Sequence, residues 1–122
     1  MGLHSDTDLY RAVIDFQKFV AGAVVNLRRD VKKVYGERLV DESLWMAVIV
    51  RQANIARDEA KLPYFEQLLD QLEIAQVILR VLRDLGWLHN NRFAESIPIT
   101  ASIGKQTIAM RNHFAPAPSP AA

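Results

Sequence analysis

The chain has no cysteine, so disulfides and thiolate chemistry are out of reach and any metal would have to be held by histidine and carboxylate. Its three histidines, His4, His89 and His113, are scattered, and none stands in a Glu-x-x-His pair, the spacing a helical metal site uses. Glu66, Asp70 and Glu73 share one helical face, but without that histidine they read as a solvated stripe and not as a di-iron pattern. The stretch "SIGKQT" at 102–107 holds the Gly-Lys of a phosphate loop, yet it lacks the earlier glycine and the preceding strand. Ser102 and Thr107 have no histidine and acid spaced as a triad. The expectation is a protein that is not an enzyme, with no catalytic residues, no metal site and no cofactor.

What remains is charge. Residues 28–39, "RRDVKKVYGERL", gather Arg28, Arg29, Lys32, Lys33 and Arg38 in a chain whose formal net charge is only +1. A run of this kind is either the cationic end of a helix, where each charge is worth ~0.3–1 kcal/mol against the dipole, or a surface for phosphates. The elements that carry the run decide between them.

The length suits one domain, and a hydrophobic share of 50% suffices for a core. Apolar residues at Leu9, Val13, Phe16, Val20, Val24 and Leu27 keep one helical face, with Asp6 as the expected cap. Pro63 opens another helix, whose stripe of Leu68, Leu72, Ala75, Leu79 and Leu82 stops at Gly86. A second stripe beside it, Ile74, Ile78, Val81 and Leu85, is wider than one core requires and suggests contact with another subunit. The last helix follows "HNN" at 89–91, where either asparagine can cap, and runs through Phe93, Ile97, Ile103 and Ile108 to about His113, with Pro98 giving a kink or a late start near Ser96. The Pro- and Ala-rich residues 115–122 read as a flexible tail.

The second helix is open to two readings. If Gly36 caps helix 1, the basic run is that helix's last turns. If the chain turns around Asn26 to Arg29, Asp30 caps a helix continuing through Tyr35, Leu39, Met46, Ile49, Ala53 and Ala56, with Glu42 its only polar member. An interior Gly36 then costs ~1 kcal/mol, which is offset if another helix packs closely there. The second reading gives four helices of matched length, near 6–27, 31–57, 62–86 and 91–113, and is favoured. The expected fold is all-α, an antiparallel up-down-up-down four-helix bundle over residues 1–114.

Such a bundle brings the first connection, the end of helix 3 and the start of helix 4 to one end. Arg80, Arg83 and Arg92 there join Arg28, Arg29, Lys32, Lys33 and Arg38, against Asp30, Glu37 and Asp84. Lys32, Lys33 and Arg92 sit in first turns, where the helix dipole disfavours cations, so a phosphate-binding role is expected of the cluster. Trp45, Trp87, Tyr35, Tyr64 and Phe65 read as core or interface anchors. The start of the chain has neither a signal-peptide pattern nor the Ser or Thr that myristoylation wants at position 6, and no apolar run approaches ~18 residues. A cytoplasmic protein with no membrane partner is expected.

Three stretches carry a resemblance. "VYGERL" at 34–39, "YFEQLLDQLEIAQVILRVLRDLGWL" at 64–88 and "SIGKQ" at 102–106 resemble the accessory variability determinant family. These are small four-helix bundles that accompany the reverse transcriptase of diversity-generating retroelements, and they are related to bundles encoded within ribosomal RNA intervening sequences. The resemblance covers roughly residues 9–113. It implies a homo-oligomer, a pentameric barrel, with basic surfaces for RNA or DNA and a possible complex with a reverse transcriptase. Gly36, Glu37, Arg38 and Leu39 match the early helix 2 pattern, Arg80 a basic position in helix 3, and Gly104, Lys105 and Gln106 the Gly-basic-Gln of helix 4, which adds Lys105 to the candidate nucleic-acid contacts. After that motif this chain reads "TIAMRNHF", where family members often carry a glycine-rich, Trp-terminated end.

Overall fold

The computed structural model describes residues 7–117, and within them the fold is all-α, four helices without a strand. Helix α1, Asp8–Val25, is capped by Thr7, whose hydroxyl accepts the Tyr10 N–H at 3.1 Å. Asp6, the cap expected from sequence, lies outside the described residues, as do His4 and tail residues 118–122.

The chain turns at Asn26–Arg28, and α2 then runs over residues 29–55 as one rod with three windings: a first turn Arg29–Val31, a π-helical turn Lys32–Gly36, and an α-helical body Glu37–Ile55. Backbone angles stay right-handed helical through both joints, and the Glu37 N–H reaches back five residues to the Lys32 carbonyl. Gly36 therefore lies inside α2 and does not end α1. Its place follows from packing: a Cβ there would stand 2.9 Å from Val24 Cγ1 and 3.3 Å from Lys32 Cγ, so the end of α1 comes closer than a side chain permits. Asp30 is not the cap. Arg28 occupies that position without a side-chain cap bond, and Asp30 sits in the first turn with a carboxylate oxygen accepting the Val31 N–H at 3.0 Å. A carboxylate in that turn is stabilised by the dipole all the same.

A 3₁₀ turn, Asp58–Lys61, leads into α3, Leu62–Asp84, with Pro63 in its first turn. Gly86 has φ +77°, the left-handed conformation that closes a helix most cheaply in glycine. The Trp87 N–H donates to Leu82 O at 2.9 Å and the Gly86 N–H to Arg83 O at 2.9 Å, which folds Trp87 and Leu88 back onto the bundle. Helix α4, Asn90–Phe114, begins after His89, and neither Asn90 nor Asn91 caps it. Pro98 lies within α4 without delaying its start.

Each helix packs on two neighbours, α1 on α2 and α4, α3 on α2 and α4, around a core led by Phe16, Leu39, Met46, Ile49, Phe65, Leu68, Leu79, Leu82 and Ile103. The face of α4 differs from expectation. Ile97 and Ile108 are exposed and Phe93 is half-buried, while the buried line is Ser96, Thr100, Ile103 and Thr107, spaced by four, three and four residues. Those hydroxyls donate to carbonyls of their own helix, Ser96 to Phe93 at 2.6 Å, Thr100 to Ser96 at 3.0 Å and Thr107 to Ile103 at 2.6 Å. Buried hydroxyls so bonded carry little desolvation cost, and that is how a polar line comes to face the core. On α3, Ile78 is buried, Ile74 and Val81 are half-buried and Leu85 is exposed, so the second stripe is partly core.

Candidate nucleic-acid interface

Contacts fix which helix ends meet. Gly36 of α2 lies against Val24 of α1, the Tyr35 ring is 5.9 Å from that of Trp87, the Arg92 guanidinium lies 5.3 Å from the Phe19 ring, and that of Arg83 lies 4.3 Å from Phe93. The end of α1, the start of α2, the end of α3 and the start of α4 therefore share one end of the molecule. At the other, Asn54 donates to Thr7 Oγ1 at 3.1 Å, Arg111 bonds Glu66 at 3.3 Å, and the Phe65 and Phe114 rings lie 6.3 Å apart.

The first end carries the expected cations, and the side chains divide them. Arg28 pairs with Asp30 at 2.9 Å, Arg38 with Glu42 at 2.7 Å, Arg83 with Asp84 at 2.8 Å and Arg92 with Glu95 at 3.0 Å. Counting charges along the sequence omitted Glu42 and Glu95, which the helical i,i+4 and i,i+3 spacings put beside Arg38 and Arg92. Lys32 is occupied differently, since its Nζ donates to the Val25 carbonyl at 3.0 Å and so serves the C-terminus of α1 from the first turns of α2. Two residues that argued against the dipole, Lys32 and Arg92, thus tie the fold together, the second through Glu95 and the Phe19 ring.

Arg29, Lys33 and Arg80 are exposed and have neither an acid nor a carbonyl partner among the described residues. Arg29 and Lys33 lie on the first turns of α2, and Arg80 borders a groove between α3 and α4 with Phe93, Ser96 and Ile97. Lys105 is exposed but stands apart, about 20 Å along α4 from Arg92 at the helical rise.

No family model matches the chain, and no curated protein matches it.

The remaining chemistry is sparse. Among the described residues no group of three or more His, Asp or Glu side chains could hold a metal ion, and no helix is long and apolar enough to cross a membrane. "SIGKQT" lies wholly inside α4: Ser102 accepts from Gln106 at 3.0 Å, and Gly104 faces Leu72 at ordinary contact distance. Trp87 and Tyr35 serve the end contact and Phe65 the core, whereas Trp45 is 51% exposed and stands with Leu44 and Val48 on the outer face of α2. That apolar strip and the π turn were not read from the sequence. Trp45 and Val48, three residues apart beside Leu44, were the signal for the first, and the crowding at Gly36 gives a reason for the second.

Proposed function

We propose that the chain is a non-enzymatic accessory protein of the accessory variability determinant type, an antiparallel up-down-up-down bundle that binds RNA or DNA without sequence preference. In this reading it acts in the cytoplasm as a homo-oligomer, a pentameric barrel as the resemblance implies, beside a reverse transcriptase or another nucleic-acid-processing partner. The observation that supports nucleic-acid binding is the set Arg29, Lys33 and Arg80: three exposed cations near one end, none of them in an ion pair among the described residues. Unpaired cations of this kind release counterions from a phosphate backbone on contact, which is the source of non-specific affinity.

Fluorescence anisotropy with a labelled single-stranded RNA tests it. Three phosphate contacts give a log-log salt slope of about −2, so affinity falls roughly 20-fold between ~50 and ~200 mM salt. Arg29→Glu/Lys33→Glu/Arg80→Glu abolishes binding while leaving the circular dichroism spectrum unchanged. Absence of binding by the wild-type protein at ~50 mM salt overturns the reading.

A second reading, a purely structural oligomer with no nucleic-acid role, is favoured by the four cations at this end that already hold carboxylates. Under it the triple variant disturbs assembly or nothing at all.

A further inference from the structure

Between α2 and α3 runs an open groove of about 570 Å³ with a mostly apolar floor. Val34 and Val77 are 66% and 55% exposed at its edges, with Ile74 and Ile78 between them. Asp70 and Glu73 stand on its rim, both exposed and neither in an ion pair or hydrogen bond among the described residues. Arg38 is also on the rim, but its guanidinium is engaged 2.7 Å from Glu42, so it leaves the two carboxylates uncompensated.

We propose that this groove docks a basic amphipathic helix of a protein partner. The groove runs from Asp70 to Ile78, two turns or about 12 Å of α3. A third helix laid along two others buries its apolar stripe on such a floor and keeps its polar edges at the rim. The rim chooses the sign: lysines or arginines flanking the stripe meet Asp70 and Glu73, whereas an acidic helix or a phosphate backbone meets like charge. Two copies of the groove face to face would set the same carboxylates against each other, which disfavours an isologous contact; a heterologous contact with another patch of a second copy is the alternative, which the oligomeric state of Val77→Glu separates. The inference rests on other residues than nucleic-acid binding, which uses Arg29, Lys33 and Arg80, although Glu73 and Val77 also line the groove that Arg80 borders.

The probe is a fluorescein-labelled 18-residue leucine/lysine peptide with leucines at heptad a and d positions, titrated against the full chain at moderate salt. Saturable one-to-one binding in the micromolar range is expected, with at least tenfold weaker affinity for Asp70→Lys/Glu73→Lys and for Val77→Glu. All three positions are exposed, so the fold is retained; Asp70→Asn/Glu73→Gln gives an intermediate loss. Equal binding of a leucine/glutamate peptide, or lysine-peptide binding untouched by these substitutions, overturns the proposal. So does a wild-type oligomer that Val77→Glu dissociates, since a second copy then occupies the face.

Discussion

Glu42 is buried with only one carboxylate oxygen bonded among the described residues: Arg38 holds Oε1, and Oε2 has no partner among them. The pair is lopsided, since the arginine side chain is 58% exposed and the glutamate 10%. Removing the arginine strands a charge in the interior, whereas removing the glutamate frees a guanidinium that water already solvates. Arg38→Ala is therefore expected to cost ~1–3 kcal/mol in urea unfolding, and Glu42→Leu to be nearly neutral. The double variant recovers most of the Arg38→Ala loss. Equal losses in the two single variants would show instead that the bond itself is what stabilises. Glu42 was legible as the one polar member of the α2 series, because its position in the period fixes its face. Its pairing was missed because Arg38 had been counted as surface charge, although the i,i+4 spacing was there to be read.

The crowding at Gly36 sets the terms on which α1 meets α2. Alanine gains ~1 kcal/mol of helix propensity at an interior position, but here its methyl would enter the space of Val24 Cγ1, a short, stiff, buried side chain. Overpacking of this sort costs ~1–3 kcal/mol, so Gly36→Ala is expected to lower stability by about 1 kcal/mol net, read as a lower urea midpoint with an unchanged slope. A higher midpoint would mean that α1 yields at no cost. The end of α1 was not readable from apolar periodicity, while the buried faces of α1 and α3 were. α4 was less so, because its buried line is made of serine and threonines whose hydroxyls bond their own turns, and a search for apolar spacing picks Ile97 and Ile108 instead. At Pro98 the missing N–H suggested a kink or a late start; the late start does not occur, since α4 begins at Asn90 and carries on through the proline.

Among the described residues, half of the exposed large apolar side chains stand on α2, and three of them adjoin. Leu44, Trp45 and Val48 are 48%, 51% and 41% exposed on adjoining positions, a cluster with an aromatic anchor of the kind that leads subunit contacts. With assembly as proposed, Trp45→Glu is expected to reduce the light-scattering mass to that of a 13.8 kDa chain while leaving helicity intact. A wild-type protein that is already monomeric at micromolar concentration would remove the assembly reading. The sequence pointed to part of the second α3 stripe for a subunit contact, and Leu85 there is exposed. Ile78 proved to belong to the core, since α3 has neighbours on two sides and needs a broad apolar face to meet both.

The π turn of α2 has a consequence for how such a molecule could change. Five residues wound at that pitch hold one more residue than α-helical phase requires, which sets Arg29 and Val31, before the turn, back by ~100° in azimuth from where an unbroken α-helix would project them. The same offset lets Val31, upstream of the turn, share the core face of Leu39, Met46 and Ile49. A change of one residue in the winding at Lys32–Gly36 would therefore turn Val31 out of the core as it re-aimed the charged end of the bundle.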